Sequence, residues 1–227
     1  MIRVIPRFGR TVPAVTLRML LQLTSGIGFG GLGSAVPTYD NALEVPLKNA
    51  PGERFTYGGI PLQVFGAVLE RKLGRPVHDY LRERILDPIG MHVASWRTLR
   101  DGRSPLPTGA FVAAEQWARF GRLVLNRGAW DGRPIVPAAV MARCFEGSAA
   151  NPRYGVCWWL SPLGEFPDLV YASGAGGQAL YIIPSLATVV VKFGTSNSYR
   201  HETFLSRLLS HHSSRPIRTK VAPRTSR

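Results

Sequence analysis

From residue 154 onwards the sequence changes from helical patterning to four short runs with strand character. These runs are residues 154–160, 169–173, 178–183 and 187–193. The turns between them are short, and short turns join antiparallel neighbours because parallel strands need a long crossover. The sequence therefore predicts one antiparallel meander in the second half of the chain.

The segments around this meander have the apolar spacing of amphipathic helices. The clearest helix is predicted over residues 61–73, where Leu62, Phe65 and Val68 share one face and Gly74 ends the helix. Other helices are predicted over residues 16–23 with Thr16 as the N-cap, 77–86, 113–126, 136–144 and, covering one face of the sheet, 199–210. Helices first, then a sheet with a covering helix, is an α+β pattern.

The chain of 227 residues is long enough for one domain with a substantial core. We predict an irregular start over residues 1–15, a single domain over residues 16–210 and a basic disordered tail over residues 211–227. The tail mixes proline, serine and arginine, a composition typical of segments that bury too little apolar surface to fold.

The net charge of +14 is carried mainly by arginine, which supplies 24 of the 28 basic residues. Such a charge suits a nucleic-acid partner. However, the arginines are scattered, and the sequence contains neither a nucleic-acid-binding motif nor aromatic residues interleaved with basic ones. We therefore predict that nucleic acid is not a partner. No apolar run reaches the ~18 residues of a membrane span, so no such span is predicted.

The cysteines and histidines do not form a metal-binding pattern. Cys144 and Cys157 lack a Cys-x-x-Cys spacing, and the five histidines, among them His78 and His201, follow no ligand pattern. The sequence therefore predicts no metal and no cofactor, and it places the histidines at the surface.

Five segments, in one order, resemble the serine β-lactamase-related family. They are TLRMLLQLTSGI, PGERFTYGGIPLQVFGAVLERKLGRPVHDYLRERILDPIGM, ARFGRLVLNRGAWDGRPIVP, YGVCWWL and SGAGGQALYIIPSLATVVV. The family includes class C β-lactamases, D-alanyl-D-alanine carboxypeptidases, esterases and nylon-oligomer hydrolases, and it uses no metal. The resemblance implies an α+β fold of the β-lactamase/transpeptidase type, in which covering helices and a helical region pack around an antiparallel sheet.

The chemistry that the resemblance implies is acyl transfer through a serine. A lysine three residues after that serine and a tyrosine from a Tyr-x-Asn motif share the acid–base work. The tyrosine position corresponds to Tyr57, a catalytic candidate, whereas the asparagine position falls on Gly59. The third motif, a cationic residue followed by Ser or Thr and then Gly, corresponds to Ala172, Ser173 and Gly174, so its cation is missing.

The glycine-rich stretch that begins at Gly174 has two interpretations. On the family interpretation it keeps the strand edge bare, so that a substrate lies along it as an extra strand. Ser173 and Gly174 then line the substrate site, and the N–H of Ala175 points at the developing oxyanion, a contact worth about 3 kcal/mol. The alternative is a tight turn packed against the helix at residues 61–73, with no ligand.

No serine of the sequence is followed three positions later by lysine, and no Gly-x-Ser-x-Gly elbow is present. Three explanations are open: a fragment that lacks the family's nucleophile helix and first strands, a non-catalytic relative that binds a peptide or a partner, or an unrelated basic protein. On the first explanation we predict a serine hydrolase of small esters or amides that is inactive as written. Without a cation at position 172, neutral substrates are favoured over those that carry a carboxylate.

Overall fold

The computed structural model describes residues 15–28, 36–161, 166–196 and 198–210. Its helices are α1 Leu17–Leu21, α2 Tyr39–Leu43, α3 Ile60–Leu73, α4 Val77–Leu81, α5 Ala114–Leu125, α6 Ala138–Arg143 and α7 His201–Leu209. Its strands are β1 Ser95–Trp96, β2 Ala110–Phe111, β3 Ala129–Trp130, β4 Arg133–Pro134, β5 Trp159–Leu160, β6 Val170–Ser173, β7 Ala179–Ile183 and β8 Thr188–Lys192. A π-helical turn, Arg82–Leu86, continues α4. Apart from Val15, the predicted irregular start and basic tail lie outside the described residues.

Strands β5 to β8 form one antiparallel sheet in chain order, which confirms the predicted meander. Strand β5 is shorter than predicted and pairs through only two residues with the start of β6. The chain before it turns away, because Cys157 has a positive φ of 61° and donates its N–H to the carbonyl of Leu21. Among the described strands, none lies beside Ala172 and Ser173 on the β5 side of the sheet.

Helices cover both faces of this sheet. On one face, Leu205 of α7 packs with Tyr171 and Tyr181, so the predicted covering helix is confirmed. On the other face, Val124 of α5 packs with Leu180. Helix α5 comes close to the strands because Gly121 carries no side chain. The observed arrangement is the predicted α+β fold.

The helical region in front of the sheet packs around α3. Thr16 caps α1 by accepting a hydrogen bond from the N–H of Met19, and Gly74 ends α3 with φ 67°, as the local sequence predicts. Helix α2 was not predicted: it is one turn long and depends on Tyr39, whose buried ring lies over Gly66 of α3. A five-residue helix has no apolar period to recognise, so tertiary packing determines it.

None of the helices within the described ranges is long and apolar enough to cross a membrane. In the same ranges, no group of histidine, cysteine, aspartate or glutamate side chains is arranged to hold a metal ion.

Candidate functional site

Two of the predicted motifs meet at the uncovered part of β6. The hydroxyl of Tyr57, in the loop before α3, donates to the backbone carbonyl of Ser173, with 3.3 Å between the oxygens. Ser173 is the last residue of β6 and lies beyond the two residues that β5 covers. The structure thus brings Tyr57 and the third motif to one sheet edge, while their catalytic roles stay predictions.

Aromatic rings surround Tyr57. Its ring centroid lies 5.4 Å from that of Trp159 and 6.1 Å from that of Tyr154, yet 37% of Tyr57 is exposed. Burial raises the pKa of the Tyr57 hydroxyl above its ordinary value, and a hydrogen bond with Trp159 partly opposes this rise. The hydroxyl is therefore protonated at neutral pH and acts as a hydrogen-bond donor. The neighbouring Trp158 packs on the opposite, α5 side of the sheet.

Several buried tyrosines, including Tyr154 and Tyr181, make the stability of the fold sensitive to alkali. Burial is the main cause that raises the pKa of each above the ordinary value of about 10. Above that pH the unfolded chain loses protons that the folded chain keeps, so the free energy of unfolding must fall as pH rises. We expect the urea midpoint to drop between about pH 8 and about pH 11, and to drop less in Tyr154→Phe. An unchanged midpoint across this range would contradict the assignment.

The glycine-rich stretch is a tight turn. Residues Ala175–Gly177 form a 3₁₀ turn between β6 and β7, with φ 74° at Gly176 and φ 82° at Gly177. Glycine is favoured there because other residues adopt such angles at a cost. The stretch itself therefore fits the turn interpretation, and a substrate lying along the bare strand edge beside it stays a prediction. The predicted alternative is right about the turn but wrong about its neighbour, because the turn lies against Thr195 and Tyr199 and not against α3.

The backbone N–H of Ala175, in this turn, is available as a donor. Gly174 donates its N–H to the carbonyl of Gln178, 2.8 Å away, which fixes the turn to β7. Ala175 and both of its glycine neighbours are exposed. In the part of the chain that the structure describes, the N–H of Ala175 has no hydrogen-bond acceptor. An oxyanion role for this N–H stays a prediction, and the donor is available for it.

The side chain of Ser173 contacts a histidine that no sequence pattern indicates. Its Oγ lies 3.1 Å from Nε2 of His201, the first residue of α7. The other ring nitrogen, Nδ1, lies 2.6 Å from the hydroxyl of Tyr181, which in turn is hydrogen-bonded to Tyr199. The prediction that the histidines lie at the surface is therefore wrong for His201, which is half-buried in this network. It is also wrong for His78, which is half-buried against the Trp96 ring.

The side chain at position 172 lies on the opposite face of the sheet from that of Ser173. Ala172 packs with the apolar cluster on the α5 side of the sheet, whereas Ser173 points to the α7 side. A nearby cation comes from Lys192, whose Nζ lies 4.3 Å from the centroid of the Tyr199 ring. Burial, and to a smaller extent Lys192, lowers the pKa of His201, so its imidazole is neutral at pH 7. The missing cation of the third motif is thus not replaced by a charged histidine.

A cavity of about 790 Å³ lies apart from these residues, between α2, α3, α4 and the loop after Met91. Its walls carry ion pairs, among them Arg75 with Glu83 at 2.7 Å. None of Tyr57, Ser173, Gly174 and Ala175 lines it. The predicted site residues therefore lie at the sheet edge and not in this cavity.

The comparison with protein families decides the assignment. The sequence model of the β-lactamase family matches residues 2–210. The chain belongs to the β-lactamase family. This confirms the resemblance that the ordered segments indicate, and it excludes the explanation that the chain is an unrelated basic protein.

Individual relatives agree with the β-lactamase family assignment. The chain is 29% identical to esterase EstB from Burkholderia gladioli over 42% of this chain and 29% of that protein. Its fold matches a provisionally assigned 6-aminohexanoate-dimer hydrolase from Bacillus anthracis, with a TM-score of 0.71, 20% identity and 88% and 61% of the two chains covered. It also matches a penicillin-binding protein from Bacillus halodurans, with a TM-score of 0.65, 19% identity and 86% and 73% covered.

The chain spans less than a third of the length of the esterase and less than two thirds of that of the 6-aminohexanoate-dimer hydrolase. At these levels of identity, the structural matches establish the β-lactamase-type fold. The reaction and the substrate have to be argued from the residues of this chain.

Proposed function

We propose that this chain carries the tyrosine and strand half of an acyl-transfer site that hydrolyses small neutral esters or amides. The observation that supports this most is the contact of 3.3 Å between the Tyr57 hydroxyl and the Ser173 carbonyl. It joins the second and third family motifs at a point where the exposed N–H of Ala175 is free to bind an oxyanion.

In this proposal Tyr57 is the proton donor and acceptor, and Ser173, Gly174 and Ala175 line the substrate. A protonated tyrosine can pass its proton to the leaving group, and a neighbouring lysine can lower its pKa enough for the reverse step. No serine of the 227 residues is followed by a lysine at the third position. The nucleophile and its lysine therefore have to come from outside this sequence, and the 227 residues alone perform no turnover by this route.

A non-catalytic role is the second candidate, because the same missing Ser-x-x-Lys would suit a β-lactamase-like protein that only binds a ligand. The two candidates differ in one outcome. A binding protein gains no hydrolytic activity when a Ser-x-x-Lys segment is supplied.

The substrate class follows from the charges at the edge. Alanine stands at the cationic position of the third motif, and the imidazole of His201 is neutral at pH 7 because its pKa is lowered. In a form that includes Ser-x-x-Lys, we expect kcat/KM for p-nitrophenyl acetate to exceed that for p-nitrophenyl hemisuccinate by about tenfold or more. Neither Ala172 nor the neutral His201 offers a carboxylate a positive charge, and the Nζ of Lys192 donates to the carbonyl of Gly194, 2.6 Å away. These esters differ in the carboxylate and its two-carbon spacer. A preference for the hemisuccinate would contradict the proposed substrate class.

A further inference from the structure

A line of hydrogen-bonded side chains runs from Ser173 into the α7 side of the sheet. The Tyr57 hydroxyl is not part of this line. It consists of Ser173, His201, Tyr181 and Tyr199, with 3.1 Å from Oγ to Nε2 and 2.6 Å from Nδ1 to the Tyr181 hydroxyl. A hydroxyl beside a base that a third group orients is the arrangement that activates serine for covalent chemistry. We propose that Ser173 is a nucleophile in its own right, activated by His201, and that it reacts with electrophilic phosphonyl and acyl groups.

The proton positions in this line are assigned from the network. In the proposal Tyr181 donates to the Tyr199 oxygen, one of the two directions that the contact between these hydroxyls allows. The Tyr181 oxygen then accepts from the Nδ1–H of His201. This leaves the lone pair of Nε2 facing Ser173 Oγ, which is the tautomer that a general base requires.

The surroundings keep the imidazole in place and in its neutral form. The rings of Tyr171, Tyr181 and Tyr199 flank His201, with centroids 4.8, 5.8 and 5.3 Å away. Burial, and then Lys192, lowers the pKa of His201, while the adjacent Glu202 opposes this shift, so at pH 7 the ring is unprotonated and can accept the serine proton. A rigid neutral imidazole loses little entropy when it accepts the serine proton, and Tyr181 holds the tautomer fixed.

A reagent can reach the Ser173 hydroxyl from the side of the glycine turn. Ser173 is half-buried, but Gly174, Ala175 and Gly176 next to it are exposed and nearly bare of side chains. A tetrahedral reagent can therefore approach the hydroxyl along the turn. The free N–H of Ala175, two residues away, offers a donor for the oxygen that gains negative charge.

The step expected with a fluorophosphonate balances without a co-reactant. The Ser173 oxygen attacks phosphorus, an O–P bond forms, and the P–F bond breaks. The serine proton moves to Nε2 of His201 and from there to solvent, while fluoride leaves. The product is one phosphonylated protein per reagent molecule. It is a stoichiometric modification, independent of the nucleophile that the proposed hydrolysis requires.

The test is to treat the purified 227-residue chain with a fluorophosphonate that carries a reporter group and to locate the adduct by peptide mass spectrometry. We expect one adduct, on Ser173, and none there in Ser173→Ala. His201→Gln should slow the labelling rate by about 100-fold or more, because general-base assistance is lost. Tyr181→Phe, which keeps the ring but frees the imidazole, should slow it by a smaller factor.

Matched controls separate this effect from unfolding. Ser95→Ala and His92→Gln change exposed residues away from the turn and should label at the wild-type rate. Circular dichroism reports whether each variant is folded. The position of the adduct in the wild-type chain tests the proposal even if every variant unfolds. Absence of an adduct on Ser173, an adduct only on other serines, or an unchanged rate in a folded His201→Gln would overturn the proposal.

Discussion

Replacing Tyr57 by phenylalanine is expected to lower kcat/KM for a p-nitrophenyl ester by about 100-fold or more, in a form of the protein that includes a Ser-x-x-Lys segment. The hydroxyl is the only group removed, and it is the acid–base group of the proposed site. The hydroxyl makes hydrogen bonds with the Ser173 carbonyl and with Trp159 at a partly exposed position. Their loss costs about 1–2 kcal/mol in total, too little to unfold the domain.

Tyr80→Phe is the matched control for this variant. Tyr80 lies in α4, its ring packs below the guanidinium of Arg75, and α4 is not part of the sheet edge. Tyr80→Phe should retain wild-type kcat/KM. An equal kcat/KM in wild type and Tyr57→Phe would remove Tyr57 from the mechanism, and an equal loss in both variants would point to a general effect on the fold.

The sequence predicted those features of the fold that local chemistry decides. The cap at Thr16 and the stop at Gly74 need only side chains within a few positions. The meander follows from short turns between strand-like runs. These signals are short-range, so each can be read without knowing what the segment packs against.

The features that were missed depend on distant partners. The contact between Ser173 and His201 joins residues that are 28 positions apart, and it exists because α7 returns across the sheet. Nothing in the spacing of these two residues indicates that return. Helix α2 likewise forms against Gly66 of α3 and has no pattern of its own.

The glycine turn shows a different limit. Two different features favour glycine at positions 176 and 177: a positive φ and a close approach by a ligand. The sequence alone does not distinguish between them. The structure shows a positive φ at both residues. Turn geometry therefore accounts for these two glycines, while Gly174 beside them has φ −109°, an extended conformation that does not require glycine.

The largest expected effect concerns turnover itself. The 227-residue chain contains Tyr57 and the β6 edge, but no serine with a lysine three positions on. Without the serine–lysine pair, an oxyanion donor and a tyrosine do not supply the family's catalytic cycle of acylation and deacylation. We therefore expect steady-state hydrolysis by this chain to be indistinguishable from background, apart from any single equivalent released by reaction at Ser173.

Steady-state hydrolysis of a p-nitrophenyl ester by two purified chains tests the account most directly. One is the 227-residue chain, and the other extends upstream to include any in-frame Ser-x-x-Lys. We predict that only the extended chain turns over, and that its activity disappears when the serine of that segment is changed to alanine. Sustained turnover by the 227-residue chain, or a folded extended chain that binds ester but does not hydrolyse it, would contradict the account.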